Sequence, residues 1–176
     1  RTPGQFAEVM AVLRRHCSFA SPARLDCSIE LDPRFITPDD VGALAAAGFN
    51  RASLGVQDFD PEVQRAVNRI QSVEQTLAII DACRTHGLQS VNVDLIYGLP
   101  KQSLAGFSRT LDITLEARPD RLAIYSYAHL PSMFRPQQRI NAEDLPSPEV
   151  KLGLLQCAID KLGEAGYVYI GMDHFA

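Results

Sequence analysis

The chain has 176 residues, long enough for one substantial core, since a domain of roughly 150 residues buries about 68–70% of its unfolded surface. Residues 1–176 are therefore read as a single domain. Hydrophobic residues make up 46% and charged residues 22%, and the net charge of −4 gives no electrostatic reason to expect a nucleic-acid or membrane surface. No apolar run reaches the roughly 18 residues of a membrane span, and Arg1-Thr2-Pro3-Gly4-Gln5 lacks signal-peptide architecture, so a cytoplasmic protein is expected.

Apolar side chains at helical spacing (Phe6, Val9, Met10, Leu13) predict a helix from about Phe6 to His16, ahead of a first strand near Leu25 to Leu31. Thr37-Pro38-Asp39-Asp40 then supplies an N-cap, a proline at the first helical position and acids in the first turn, and Gly48 stops that helix before a strand from Arg51 to Gln57. Asp60-Pro61 begins a short helix. Ser72 with Gln75 forms a capping-box pattern for a longer one, which ends at Gly87 before a strand from Ser90 to Ile96. A helix near Leu104 to Ala117 leads through Pro119 to a strand from Leu122 to Ala128. The proline-containing stretch from His129 to Pro146 reads as a long loop on the rim, of the kind more often functional than accidental. Ser147-Pro148-Glu149 caps a final helix, Gly166 closes it, and Tyr167 to Ile170 begins a last strand.

This α/β alternation predicts a parallel sheet with right-handed crossovers. The dinucleotide fingerprint G-x-G-x-x-G is absent, so a β/α barrel is favoured over a doubly wound sheet. A complete barrel needs about 250 residues. The chain therefore reads as the central to C-terminal portion of a longer barrel, with 129–146 as a substrate loop.

Three strands deliver polar groups toward one rim. Leu25–Leu31 carries Glu30, Ala52–Gln57 ends in Gln57, and Val93-Asp94 reads as an apolar strand ending in a carboxylate before Gly98-Leu99-Pro100. A charge there is costly unless something uses it. Cys17, Cys27, Cys83 and Cys157 are scattered singly, without CxxC or CxxxCxxC spacing, as buried small hydrophobes would be. No metal site is assigned to them. His16 and His86 read as dipole-compensating residues near helix ends, whereas His129 and His174 adjoin strand ends. Asp26 and Asp32 invite an acid/base pairing, but Asp32-Pro33 reads more simply as a turn.

Several strings in fixed order carry a resemblance: Ser28-Ile29-Glu30-Leu31-Asp32-Pro33-Arg34, Gly48 through Phe59 with Gly55-Val56-Gln57, Val67-Asn68-Arg69, and Asp94 through Gln102 with Gly98-Leu99-Pro100. They resemble the radical S-adenosylmethionine (SAM) enzymes of heme biosynthesis. Tyr127-Ala128-His129-Leu130-Pro131 and Gly171-Met172-Asp173-His174-Phe175-Ala176 are similar to the oxygen-independent coproporphyrinogen III oxidase family in particular. The related heme-chaperone branch shares GVQ and GLP but usually departs from GMDHFA, and it supplies the alternative: a protein that binds heme or SAM without oxidase activity.

The resemblance implies a partial TIM-type barrel and an oxidoreductase. A [4Fe-4S] cluster would reduce SAM, two SAM molecules being bound in the family, and the resulting radical would abstract hydrogen from propionates of coproporphyrinogen III. Two decarboxylations would give protoporphyrinogen IX, with an electron donor and a final acceptor of unknown identity and a monomeric parent. The family's CxxxCxxC cluster motif and Gly-Gly-Gly-Thr-Pro segment are expected to precede this stretch, leaving the chain alone inactive. Carried over by motif, the SAM contacts fall on Glu30, Gln57, Arg69, Asp94 and Ala128. A carboxylate or amide suits ribose hydroxyls, and a guanidinium can clamp the methionine carboxylate bidentately. Ile96, Tyr97 and Gly98 would shape an adenine pocket, and His129 and His174 are candidate partners of the porphyrinogen.

Overall fold

The computed structural model describes residues 2–21 and 24–176, so Arg1 of the amino-terminal string lies outside the described residues. Helices and strands alternate as α1 (Pro3–His16), β1 (Ser28–Leu31), α2 (Pro38–Ala47), β2 (Arg51–Gln57), α3 (Pro61–Ala66), α4 (Val73–Thr85), β3 (Ser90–Tyr97), α5 (Leu104–Glu116), β4 (Arg121–Ser126), α6 (Pro148–Glu164), β5 (Tyr169–Gly171) and β6 (His174–Phe175). Each helix starts on a side-chain cap, Thr2, Thr37, Asp60, Ser72, Ser103 or Ser147, whose oxygen accepts an otherwise unpaired amide. At Ser72 only half of the expected capping box forms: its hydroxyl accepts from the Gln75 amide at 3.0 Å. Gly48 closes α2 at φ 109°, a conformation that a Cβ would strain.

Strands β1 to β4 pair side by side and parallel. Along β2 and β3 burial alternates residue by residue, with Ala52, Leu54, Val56, Val91, Val93 and Leu95 inside the core and Ser53, Gly55, Asn92 and Asp94 on the other face. A doubly wound sheet is covered on both faces and reads as continuous apolar strands. Here the helices cover one face, and the other presents polar groups that can line a site. The helices pack on the apolar face, where Phe107, Leu111, Leu154 and Leu162 are fully buried.

The expectation of a wholly parallel sheet fails at its end. The strand order is β1-β2-β3-β4-β6-β5, and β6 runs antiparallel to both β4 and β5. Met172 and Asp173, at φ 50° and 67°, form a two-residue reversal of the primed kind that suits hairpin twist. Met172 gives no turn signal in sequence, which hid the hairpin. The 129–146 stretch is also more ordered than a bare loop, since it holds two 3-10 turns, Arg135–Arg139 and Ala142–Asp144.

Candidate functional site

Asp94 sits in the middle of β3, not at its end, because the alternation runs on to Tyr97 and places the carboxylate on the polar face. It accepts hydrogen bonds from Ser53 Oγ at 3.0 Å and Asn92 Nδ2 at 2.7 Å. Burial pushes its carboxyl above the ordinary carboxylate range, against the pull of those two bonds and of the His174 charge. Glu30 lies level with Ser53 in the register of β1 and β2, and partial burial, then the Asp94 charge, pushes it up as well. Among the described residues no group hydrogen-bonds or ion-pairs with the Glu30 side chain. Asp94 and Glu30 share a hollow of about 300 Å³ with Tyr125 and His174.

Gln57 and Arg69 meet above Gly55, the residue paired with Asp94. A bulge at Val56 shifts the register so that Gln57, at φ 70°, falls opposite Leu95. Arg69 follows α3 and reaches back: Nη2 donates to the Gly55 carbonyl at 2.5 Å and Nη1 to Asp32 Oδ2 at 3.1 Å. Its Nε and the Gln57 Oε1 are buried without a partner, a costly state for two polar atoms that face one another's neighbourhood. Both residues line a cavity of about 490 Å³ with Ile96, Leu99 and Tyr127. A β-carbon at Gly55 would lie 2.9 Å from Gln57 Nε2 and 3.1 Å from Arg69 Nη2, so glycine is what lets the two side chains close over the strand.

Of the five expected contact residues, Glu30 and Asp94 line one hollow and Gln57 and Arg69 line the cavity, the two meeting at Gly55, which pairs with Asp94 and lies beneath Gln57 and Arg69. Ala128 lies apart, beyond the end of β4, where its carbonyl accepts from Gln137 Nε2 at 3.0 Å. Ile96 lines the cavity, whereas Tyr97 is buried beneath Lys151 and Gly98 turns the chain at φ 85°. His129 and His174 separate: His129 Nδ1 is 3.2 Å from the Tyr127 hydroxyl on the cavity side, and His174 stacks edge-on against Tyr125 beside Asp94.

Asp32 is not simply a turn residue. Burial pushes its carboxyl up, but hydrogen bonds from Arg34 and the charges of Arg69 and Arg34 outweigh this and hold it below the ordinary range. It therefore anchors Arg69 as a lasting anion, with Arg34 Nη2 at 2.7 Å as its other partner. Asp26 is drawn elsewhere, to Arg51 at 2.8 Å. Ser53 and Asn92, which orient Asp94, escaped the sequence reading although both fall at the right alternation. The cysteines do not converge. Cys83 is buried and its thiol is pushed up to about 11 by burial, while Cys17 is exposed, contrary to its reading as a buried hydrophobe. Among the described residues no three His, Cys, Asp or Glu side chains are grouped to hold a metal ion, and no helix is long and apolar enough to cross a membrane.

A patch of this kind suits a ligand that brings a carboxylate to Arg69 and hydroxyl or amino groups to the amide and acids. Comparison with known proteins gives the family. The chain is 54% identical over 175 residues to the oxygen-independent coproporphyrinogen III oxidase of Pseudomonas aeruginosa, covering 99% of this chain and 38% of that protein. It is 49% identical over 172 residues to the Escherichia coli protein of the same name, covering 98% and 37% respectively. The chain thus spans well under half the length of these curated relatives. The solved structure of coproporphyrinogen III oxidase (HemN) from Escherichia coli, described as a radical SAM enzyme, superposes with a TM-score of 0.96 at 48% identity, over 100% of this chain and 40% of that one. The radical SAM methyltransferase TsrM from Kitasatospora setae, at 20% identity and a TM-score of 0.60 over 73% of this chain, shares the fold alone. Residues 2–113 match the description of the radical SAM superfamily, well over half of the sequence, and the chain belongs to that superfamily.

Proposed function

We propose that this chain is part of an oxygen-independent coproporphyrinogen III oxidase, which converts two propionates of coproporphyrinogen III to vinyls and yields protoporphyrinogen IX. The observation that carries this reading is the near-half identity along almost the whole chain with enzymes of that name. It does not favour the heme-chaperone alternative. Glu30, Gln57, Arg69, Asp94 and Ala128 are the proposed SAM contacts. The fit rests on the orphaned atoms: Arg69 Nε can complete a side-on clamp on the methionine carboxylate, and Gln57 Oε1 can accept from a ribose hydroxyl. Glu30 and Asp94 offer acceptors to the methionine ammonium and the remaining hydroxyls. When bound, SAM supplies the hydrogen-atom abstraction that starts propionate decarboxylation.

The residues of this chain do not fit a [4Fe-4S] cluster, which thiolates hold. Its ligands are proposed to come from a CxxxCxxC segment outside these 176 residues, and an electron donor and a final acceptor complete the chemistry. His129, bonded to Tyr127 at the cavity, is better placed than His174 to face the porphyrinogen. The test is to reconstitute the full-length protein with iron and sulfide and assay protoporphyrinogen IX formation from coproporphyrinogen III under anaerobic conditions. Product formation is expected; stable heme binding with no product would sink the reading.

A further inference from the structure

The cavity above Gly55 carries more positive charge than SAM can use. Its apolar walls include Ile96, Leu99 and Ile140, three guanidiniums border it, and none of its lining residues is a carboxylic acid. In a chain of net charge −4, this is a local inversion of the background. Arg69 inside the cavity is partly compensated by Asp32. The other two, Arg135 and Arg139, are the first and last residues of one 3-10 turn, and among the described residues neither forms an ion pair or a side-chain hydrogen bond. Arg139 also borders a neighbouring hollow holding Glu62 and Asp144, yet pairs with neither.

A lone exposed arginine is unexceptional. What distinguishes this pair is a turn that holds both cations to the cavity wall. Gln137, between them, accepts from the Leu130 amide at 2.5 Å and donates to the Ala128 carbonyl at 3.0 Å, while Gln138 donates to the Pro131 carbonyl at 3.1 Å. The turn is thereby clamped to the chain leaving β4, and its backbone needs no ordering when a ligand arrives. One SAM brings one carboxylate, which Arg69 satisfies. The second SAM that the resemblance implies would bring one further carboxylate, so at least one of these two guanidiniums beside an apolar wall is left for another anion, and a ligand with an apolar body and several carboxylates would engage both.

We propose that Arg135 and Arg139 bind carboxylates of the substrate at the mouth of this cavity. The proposal rests on the reading above, under which those carboxylates are propionates of coproporphyrinogen III, and it assigns the 129–146 segment as the element that recognises them. The test uses the full-length, cluster-reconstituted protein with Arg135→Gln, Arg139→Gln and Arg139→Lys. Each Gln substitution is expected to raise the KM for coproporphyrinogen III about tenfold, as loss of one charge-assisted contact predicts. Fluorescence titration with coproporphyrin III, the stable oxidised tetracarboxylate, should weaken in step, with the SAM dissociation constant unchanged. Arg139→Lys, which keeps the charge, should recover most of the affinity. Gln variants that match the wild type in KM and titration overturn the proposal alone. So does a parallel loss of SAM affinity, which would assign these arginines to SAM. A wild-type protein that cleaves SAM but neither binds nor converts the porphyrinogen overturns the reading above, and this proposal with it.

Discussion

Asp94 shows how a residue chosen for a ligand burdens the fold that carries it. Its raised pKa means that the native protein holds a proton there more readily than the unfolded chain does. Between the unfolded and folded values the native state binds more protons, so stability falls as pH rises through that window, and the full cost applies above it. Asparagine would remove the charge and still accept from Ser53, while its amide nitrogen would replace the oxygen facing Asn92 Nδ2, a donor pair that a flip of the Asn92 amide relieves by turning its unpartnered Oδ1 toward the new amide. Asp94→Asn in the full-length protein should therefore raise the melting temperature at pH 7 by on the order of a few degrees. The gain should fade below about pH 4, where an ordinary Asp is protonated. SAM affinity should fall about tenfold or more, with the cluster absorbance unchanged. Calorimetry from pH 4 to 8 and equilibrium dialysis check this, and a variant less stable than wild type at pH 7 would show that the carboxylate supports the fold. The sequence disclosed the residue but made it terminal, because the expected strand stops at Ile96 ahead of the Gly98-Leu99-Pro100 turn, whereas β3 runs on through Tyr97. It hid Asp32 for a different reason: the partner, Arg69, is distant in sequence, and Asp-Pro is a strong local turn signal.

Between elements, the turn after β3 is fixed by a buried amide. Gln102 Oε1 accepts from the Gly98 amide at 2.6 Å and the Leu99 amide at 3.3 Å, while its Nε2 donates to Asp58 Oδ2 at 2.6 Å and the Ile96 carbonyl at 3.0 Å. Asp58, 2% exposed, also accepts from Thr110 of α5 and the Asp60 amide, both at 2.7 Å. One side chain thus joins the ends of β2 and β3 to α5, and so sets where Gln57 and Ile96 stand. Gln102→Ala would leave a buried carboxylate oxygen and two amides short of partners, at a cost of about 3 kcal/mol. Urea unfolding should register that loss; a change below about 1 kcal/mol would mean that water replaces the amide. Helix limits were legible in the sequence because capping is local: Thr37, Ser72 and Ser147 announce themselves. The β5–β6 hairpin was not, because its reversal lies at Met172-Asp173 and its pairing is with distant β4.

Across the whole molecule, the sheet buries one face and leaves two edges. Among the described residues β1 pairs only with β2, and the hairpin edge exposes Val168, Tyr169, Ile170 and Met172, the last at 89%. Unpaired strand edges with apolar side chains recruit other chains. Expressed by itself, the 176-residue chain should associate at micromolar concentration, and Ile170→Lys should shift it toward monomer in light scattering; a wild-type chain that is monomeric throughout would show these edges to be benign. The parallel sheet was readable from alternation, and the barrel from the missing dinucleotide fingerprint, whereas the openness of the sheet depends on pairings that no local pattern encodes. The hairpin also bears on assembly during synthesis. At roughly 5–20 residues per second, β1 to β4 leave the ribosome seconds before β6, so the parallel sheet takes shape with its β4 edge bare and the hollow at Asp94 open on that side. The hairpin then covers that edge and sets His174 beside Tyr125 and Asp94 in one movement, so that closing the β4 edge and completing the wall around the carboxylate are a single event.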